Sequence, residues 1–255
     1  MSLNQTNQDV LILTATITPP QGAVQLSRVD PMLRLRDYHD ALDFYLACLN
    51  AGFISGIVFA DNSASDVTLL RNLVRDRGAE KKVEILSFNG LDHSPAFGRG
   101  YGEFKLIDFV VDRSSILQKV SKDAPIWKVT GRYVLRNFES IIRSRPREVD
   151  IYCHCRNIPK HWTDLYILSW NMRGYGLLLK GIYEHLNEEM NGCSAEHTFR
   201  RIVDQNAQNC RIMKRFRVVP RLEGIRGLDN RRYEEMSMRL YFRQIANSIA
   251  PWLWI

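Results

Sequence analysis

The chain has 255 residues, of which 45% are hydrophobic and 25% are charged, and its formal net charge is +7. These fractions are those of an ordinary globular protein that is long enough to bury a substantial core. The positive charge favours an anionic partner, which leaves a nucleotide, a nucleic acid and an acidic membrane surface as the candidate classes.

The number of cysteines and the lengths of the apolar runs indicate the cellular compartment. The five cysteines are an odd number and widely scattered, and residues 1–9 are polar without the basic-then-apolar pattern of a signal peptide. This predicts reduced thiols in a cytoplasm rather than a disulfide framework. No run reaches the roughly 18 to 20 apolar residues that a membrane helix needs. We expect a cytoplasmic protein that is at most peripheral at the inner face of the membrane.

Strand-like and helix-like patterns alternate in the first half of the chain. In chain order they predict a strand at 10–17, a helix at 31–49 capped by Asp30, a strand at 53–60, a helix through Val74 capped by Ser65 or Asp66, a strand at 82–87, a glycine-dense loop at 98–102, a helix at 104–120 and a strand from 126. Such alternation predicts an α/β fold, a Rossmann-like and mostly parallel sheet flanked by helices. Ligands then bind beyond the carboxyl ends of the strands.

The pattern changes after residue 150. It predicts a strand at 149–155, a strand or helix pair at 165–186, a helix at 194–206, a short strand at 217–221, turns at 223–230 and a helix at 233–249. We expect one catalytic domain at 1–210 and a basic, aromatic appendage at 211–255 that packs on it.

A polar turn follows the predicted fourth strand. Gly131 permits a sharp turn there, and it is flanked by Lys128, Thr130, Arg132 and Tyr133. Arginine forks onto phosphate oxygens and lysine acts as a point charge, so this segment can hold a diphosphate. The alternative is a tight turn whose cations are merely solvated.

A second polar turn follows the predicted second strand. Asp61, Asn62 and Ser63 stand at the strand tip, where a carboxylate can accept hydrogen bonds from a nucleobase imide or a ribose hydroxyl. The alternative is a plain strand-to-helix turn, because these residue types favour turns in any case.

Together these segments resemble a known enzyme family. The stretches Leu-Thr-Ala-Thr-Ile at 13–17, Asp-Asn-Ser-Ala-Ser-Asp at 61–66 and Lys-Val-Thr-Gly-Arg-Tyr at 128–133 resemble nucleotide-sugar glycosyltransferases of the GT-A fold that build bacterial lipopolysaccharide or capsule. The resemblance covers about residues 10–157. It implies a hexosyltransferase with a nucleotide-sugar donor, a UDP-sugar, and a saccharide or lipid-linked acceptor. It also implies that Thr14, Ala15, Thr16 and Asp61 hold the nucleoside.

One departure from that family concerns metal binding. Most GT-A enzymes carry an Asp-x-Asp that binds a divalent cation at the diphosphate, and no Asp-x-Asp occurs in this chain. Lys128, Thr130 and Arg132 stand roughly where it would be expected. We therefore expect no metal cofactor, with these cations neutralising the leaving diphosphate.

Further donor ligands are expected near the third strand and the first helix. Residues 98–103 form a glycine-rich segment in which Arg99, Gly100 and Glu103 are the candidate ligands, and Arg28 is a further phosphate candidate. The segment does not fit the dinucleotide fingerprint, because its spacing differs and it follows the third strand. This argues against a dinucleotide-dependent Rossmann enzyme.

An inverting transferase needs a carboxylate base near the acceptor hydroxyl. The candidates are Asp164, Glu196 and Glu223. Glu196 falls in the first turn of a predicted helix, where the helix dipole favours a carboxylate for structural reasons alone. The sequence leaves open which of the three is catalytic.

The sequence Cys153-His154-Cys155 invites a zinc interpretation. Strand alternation places His154 opposite both cysteines, and no second pair has metal-ligand spacing, so buried or half-buried strand residues are favoured.

The C-terminal segment combines many arginines with Trp252 and Trp254. This composition suits an anionic membrane surface; a solvated basic face or a dimer contact are the alternatives. A non-enzymatic nucleic-acid-binding protein is the competing class. It lacks support because the basic residues form no recognisable nucleic-acid-binding motif, and we expect no nucleic-acid partner.

Overall fold

The computed structural model describes residues 8–22, 26–158 and 160–233, together with residues 245 and 249. Its strands, in chain order, are β1 Val10–Ala15, β2 Gly56–Asp61, β3 Val83–Ser87, β4 Ile126–Thr130, β5 Val134–Leu135, β6 Ile151–Tyr152, β7 Cys155–Arg156, β8 Trp162–Thr163, β9 Ile167–Trp170, β10 Ile212–Met213, β11 Leu222–Ile225 and β12 Arg232–Tyr233. Its α-helices are α1 Pro31–Asn50, α2 Thr68–Asp76, α3 Arg99–Arg113, α4 Phe138–Ser144, α5 Met172–Gly174, α6 Glu188–Asn191 and α7 Ala195–Gln205.

Seven strands form the central sheet in the order β10-β6-β9-β4-β1-β2-β3. Strand β9 runs antiparallel to β4 and β6, and the other pairs are parallel. The predicted fold class, a mostly parallel sheet flanked by helices, is confirmed. Every residue of β1 is buried because helices cover both faces of a parallel sheet.

Alternate residues of β1 enter two separate cores. Leu11 and Leu13 pack with apolar side chains of α1, α2 and α4. Val10 and Ile12 pack on the opposite face with Phe104 of α3 and apolar side chains of α7. This period of two decides which side chains of β4 meet α3 at the end of the sheet.

Strands β1 and β4 lie side by side at the point where the strand order reverses. From β1 the chain adds β2 and β3 on one side of the sheet and then crosses to β4 on the other. Such a switch point leaves a crevice beyond the carboxyl ends of the two strands, where α/β proteins bind their ligands.

The predicted cap of α1 is confirmed, and the predicted glycine loop is wrong. The Asp30 carboxylate accepts hydrogen bonds from the amides of Met32 and Leu33. Residues 99–102, in contrast, form the first turn of α3. A Cβ on Gly100 would lie 2.2 Å from the Cβ of Ala195, so glycine is required here for helix packing rather than for flexibility.

Helix α3 is also shorter than predicted. It ends at Arg113, and a separate 3₁₀ turn follows at Leu117–Lys119. The helix stops there because the backbone of Ser114 is extended. The hydroxyl of Ser114 donates a hydrogen bond to Glu84.

The second half of the chain extends the central sheet and adds two small ones. Strand β10 joins the central sheet beside β6, while β11 pairs with β5 and β12 in a three-stranded sheet. The strand predicted at 217–221 is wrong, since the strands lie before and after it. Residues 165–186 contain β9, α5, a π-helical turn and a 3₁₀ turn. Of the helix predicted at 233–249, only residues 245 and 249 lie within the described residues beyond 233, and both are helical.

Among the described helices, none combines the length and the apolar character that crossing a membrane requires.

Candidate active site

A buried ion pair lies at the switch point of the sheet. Lys128 is on the face of β4 that meets α3, and its side chain is fully buried. Its Nζ lies 2.6 Å from Glu103 Oε1 and also donates to the hydroxyl of Thr130 and the carbonyl of Leu165. These three contacts use all three protons of the ammonium group. Burial lowers the pKa of Lys128, and the negative charges of Glu103 and then Glu196 oppose that shift.

Glu103 receives three donors on one oxygen atom. Besides Lys128, the hydroxyls of Thr14 and Thr130 donate to Oε1 over 2.6 and 3.0 Å. Oε2 makes no hydrogen bond within the described residues, and the side chain retains 20% of its exposure. The result is a carboxylate that is anchored at one oxygen and open at the other.

The switch-point cluster, as we call Thr14, Glu103, Lys128 and Thr130, joins three elements of the fold. Thr14 and Thr130 are partners in the register of β1 and β4, and Glu103 comes from the second turn of α3. Four of the predicted donor ligands are thus brought together. The sequence did not predict the ion pair, although a lysine on a core-facing strand position signals a buried partner.

Glu196 lies close to the switch-point cluster. It stands in the first turn of α7, is half-buried and makes no hydrogen bond to the described residues. Its negative charge opposes the lowering of the Lys128 pKa. Burial raises the pKa of Glu188, and the charge of Glu196 adds to that shift. Arg99 is exposed at the start of α3 and opposes the shift at Glu188.

The predicted nucleoside loop is built around a buried carboxylate. Asp61 is fully buried, and its oxygens accept hydrogen bonds from the Ile17 amide, the Ser63 hydroxyl and the Ser65 amide. Asp61 therefore shapes the loops that follow β1 and β2 from inside. The polar groups beside it are those of Thr16 and Asn62, which join through a 2.7 Å hydrogen bond.

Two side chains of α1 hold the segment after β1. Arg34 is buried and donates to the Thr16 carbonyl through Nε over 2.8 Å, and the Tyr38 hydroxyl accepts from the Thr16 amide over 2.9 Å. Neither residue was predicted. Their spacing of four places them on one helix face, which is the signal that identifies them.

Gly131 allows a close approach of two strands. Its amide donates to the Thr14 carbonyl, and an added Cβ would lie 2.9 Å from that same oxygen. Its φ is not in the left-handed region, so close contact rather than a left-handed turn is what requires glycine here.

Arg132 is buried beneath the β11–β12 hairpin. Its Nη1 donates to the Ile225 carbonyl over 3.1 Å, and its guanidinium lies 5.3 Å from the ring centre of Tyr133. The buried Nε has no hydrogen-bond partner among the described residues. A donor that is buried without a partner needs an explanation, and the described residues alone do not supply one.

The other predicted site residues are paired with partners. Arg28 forms a two-point ion pair with Asp37. Oδ2 of Asp164 accepts hydrogen bonds from two nitrogens of Arg156. Glu223 lies on β11 and pairs with Arg136.

The cysteines of residues 153–155 behave as predicted. Their sulfur atoms are 3.8 Å apart, and His154 faces the other way, stacked on Phe216. Within the described residues, no three His, Cys, Asp or Glu side chains are grouped as metal ligands.

Two cavities border α7. One has a volume of about 370 Å³ and the other about 280 Å³, and Arg201 lines both. No member of the switch-point cluster lines either cavity. The chemistry of the cluster, rather than the size of these cavities, therefore marks the candidate active site.

No protein-family model matches the chain, and no curated protein matches it. Among solved structures, a protein assigned as a nucleotide-diphospho-sugar transferase from Desulfovibrio desulfuricans G20 aligns at 8% identity and a TM-score of 0.49 over 82% of this chain and 79% of that one. The galactosyltransferase LgtC, in complex with donor and acceptor sugar analogs, aligns at 9% identity and a TM-score of 0.46 over 81% of this chain and 73% of that one.

A nucleoside-diphosphate-sugar pyrophosphorylase from Vibrio cholerae RC9 aligns at 9% identity and a TM-score of 0.42 over 80% of this chain and 90% of that one. With TM-scores below 0.5, none of these likenesses by itself assigns an activity.

Proposed function

We propose that the chain is a glycosyltransferase that moves a hexose from a nucleotide-sugar donor, a UDP-sugar, to a saccharide or lipid-linked acceptor in surface-polysaccharide synthesis. The observation that carries this proposal is the switch-point cluster. It places an anchored carboxylate and two hydroxyls in the crevice where α/β sheets bind nucleotides.

The nucleoside is proposed to lie on the polar loops after β1 and β2. Thr16 and Asn62 offer hydrogen-bonding groups there, and Asp61 fixes the loops from beneath. Replacing Asp61 with alanine would then weaken binding of the nucleoside and of the nucleoside diphosphate alike, because both use the same loop.

The diphosphate is proposed to lie between the switch-point cluster and Arg132. Arg132 offers an unused donor, and Thr130 lies at the adjoining strand end. Lys128 contributes positive charge from beneath, although its protons are directed at Glu103, Thr130 and Leu165. This arrangement supports binding without a divalent cation.

Thermal unfolding with added nucleosides and nucleoside diphosphates, in chelator, tests this proposal. A ligand that binds only the native state raises the midpoint by mass action, and the best ligand identifies the base. We expect uridine diphosphate to stabilise the protein in chelator. Stabilisation only with magnesium or manganese would contradict metal-independent binding, and no stabilisation by any nucleotide would contradict the function.

A variant pair tests the phosphate site. Arg132→Ala should weaken nucleoside diphosphate binding by about 1.5 to 3 kcal/mol, the range for a hydrogen bond to a charged group, and should leave nucleoside binding nearly unchanged. Arg143→Ala is the matched control, because Arg143 is exposed and pairs with Glu139 on α4. Equal losses in both variants would remove Arg132 from the site.

Membrane docking by the C-terminal segment is a further proposal. Its residues Arg239, Tyr241, Phe242, Arg243, Trp252 and Trp254 lie outside the described residues, so it depends on composition alone. We expect co-sedimentation with acidic vesicles to fall with salt, because each cation near such a surface contributes about 1 kcal/mol. It should also fall on truncation after Ala250, because that removes the interfacial aromatics Trp252 and Trp254. Truncated protein that unfolds would place the segment in the core instead.

A further inference from the structure

We infer that Glu103 is the catalytic base that takes the proton from the acceptor hydroxyl, and this inference rests on the proposed function. A base needs an ionised carboxylate with a free oxygen, near the reacting carbon and partly shielded from water. Five carboxylates are among the predicted site residues: Asp61, Glu103, Asp164, Glu196 and Glu223. The structure distinguishes them by their partners.

Three of these carboxylates are committed to other partners. Asp61 is fully buried and accepts hydrogen bonds from the loops that it shapes. Asp164 is 8% exposed and is held by two nitrogens of Arg156. Glu223 is paired with Arg136 on the separate three-stranded sheet.

Glu103 and Glu196 remain, and they differ in how they are held. Glu103 is anchored by an ammonium and two hydroxyls on Oε1, which fixes the direction of the open Oε2. Glu196 has no hydrogen bond to the described residues, so no hydrogen bond in that part of the chain fixes its orientation. Catalytic groups depend on such preorganisation, and Glu103 has it.

The proposed step is a single displacement. Oε2 of Glu103 accepts the hydroxyl proton while the acceptor oxygen bonds to the anomeric carbon of the donor. The bond from that carbon to the diphosphate oxygen breaks, and its electron pair leaves with the nucleoside diphosphate. The proton remains on Glu103 until water removes it through the exposed side of the carboxylate. The anomeric configuration is inverted.

Lys128 gains a role in the same step as a positioning residue. Before the reaction, its charge is balanced by Glu103 at 2.6 Å. Once Glu103 is protonated, the ammonium is no longer balanced, and its positive charge acts on the diphosphate that has just become more negative. Proton transfer therefore creates electrostatic stabilisation of the leaving group at the moment when it is needed.

Three variants test this inference with water as the acceptor, so that no acceptor has to be identified. Glu103→Gln keeps the shape and an acceptor oxygen for Lys128, Glu196→Gln alters the rival carboxylate, and Glu139→Gln on the exposed Arg143 pair is the control. UDP-glucose, UDP-galactose and UDP-N-acetylglucosamine are the probes. The readouts are release of uridine diphosphate from pH 4 to 9 and the affinity for uridine diphosphate.

We expect Glu103→Gln to slow release by about 100-fold or more, the usual contribution of a general base, while uridine diphosphate binds at least as tightly as to the wild type because the charge of Lys128 is no longer balanced. The fall of the wild-type rate at acidic pH should also disappear. Nuclear magnetic resonance of the first sugar released should show the inverted anomer. Glu139→Gln should match the wild type.

Other outcomes overturn the inference. A rate that falls only in proportion to uridine diphosphate affinity would make Glu103 a donor ligand. Loss of the acidic limb in Glu196→Gln alone would make Glu196 the base, and a retained anomer or a glycosyl-enzyme detected by mass spectrometry would exclude single displacement.

Two further controls keep the result interpretable. If Glu103→Gln unfolds, the double variant Glu103→Gln, Lys128→Met removes both charges, and it must fold and bind uridine diphosphate yet remain inactive. A folded double variant with the wild-type rate overturns the inference. If the wild type itself neither binds a nucleotide nor cleaves any of the donors, the proposed function fails first.

Discussion

The central sheet carries buried charges of opposite sign at the two ends of its parallel strands, which we call the carboxyl edge and the amino edge. At the carboxyl edge, the cation Lys128 is fully buried and its partner Glu103 keeps an open oxygen. At the amino edge, the anion Asp150 is fully buried, while its partners Arg173 and Arg211 are 52% and 55% exposed. Asp150 also accepts from Asn171 and from the Arg211 backbone amide, so both of its oxygens are occupied.

This difference separates a structural cluster from a functional one. A buried charge whose partners satisfy every lone pair joins elements together and has no capacity for a ligand. The amino-edge cluster does this for α5 and the segment before β10, because Arg173 and Arg211 come from these elements. The carboxyl-edge cluster leaves one acceptor open in the crevice, which is the property that a binding or catalytic group requires.

The largest effect is expected from breaking the carboxyl-edge pair on its buried side. Lys128→Met keeps the side-chain volume but leaves Glu103 without its counter-charge, and removing one member of a buried pair costs about 3 to 5 kcal/mol. We expect a loss near 4 kcal/mol in the free energy of unfolding, measured by urea denaturation. The double variant with Glu103→Gln should recover at least half of it, and full additivity of the two losses would show that the pair does not interact.

The next effect concerns a second carboxylate at the amino edge. Asp9 precedes β1, is buried and accepts a hydrogen bond from Trp127 Nε1. Burial raises the pKa of Asp9 to about 6, against the opposing hydrogen bond from Trp127 and the charge of Arg145.

The folded state therefore binds a proton that the unfolded state has released between about pH 4 and pH 6. The free energy of unfolding should fall by about 3 kcal/mol as the pH rises through this window, since one pKa unit corresponds to about 1.4 kcal/mol. Asp9→Asn should flatten the curve, and an identical pH dependence in both proteins would contradict the assignment.

The smallest effect on the free energy of unfolding is expected at Asp150, where both carboxylate oxygens are already occupied. Asp150→Asn keeps an acceptor oxygen but removes the charge shared by Arg173 and Arg211, and because both arginines can turn to water we expect a loss of only about 2 kcal/mol. Burial alone would raise the pKa of Asp150, but the hydrogen bonds from Arg211 and Asn171 outweigh burial and lower it.

The contribution of Asp150 is thus present above about pH 4 and should disappear as the pH falls through its lowered folded pKa. Urea denaturation of both proteins at several pH values measures this. Uridine diphosphate affinity should not change, because the amino edge lies at the other end of the strands. A large loss of affinity would mean that the two edges are not independent.

Local patterns in the sequence determined the strands and helices of the first half, except for the bounds of α3. The β-branched run of β1 and the Asp30-Pro31 start of α1 are short-range signals, and both elements occur where they were predicted. The alternation of strands and helices also determined the parallel sheet. The sequence placed Thr14 and Thr130 near the carboxyl ends of their strands, because period two and strand direction are local properties.

Only the tertiary structure decided how these residues are used. The glycines of residues 98–102 read as a loop, yet Gly100 is required where α3 packs on α7, a contact between residues 95 positions apart in the chain. Lys128 and Arg132 read as open cations, yet one is buried against Glu103 and the other beneath β11 and β12. Burial and pairing depend on elements distant in sequence, and a charged side chain without water must find a partner that no local pattern reveals.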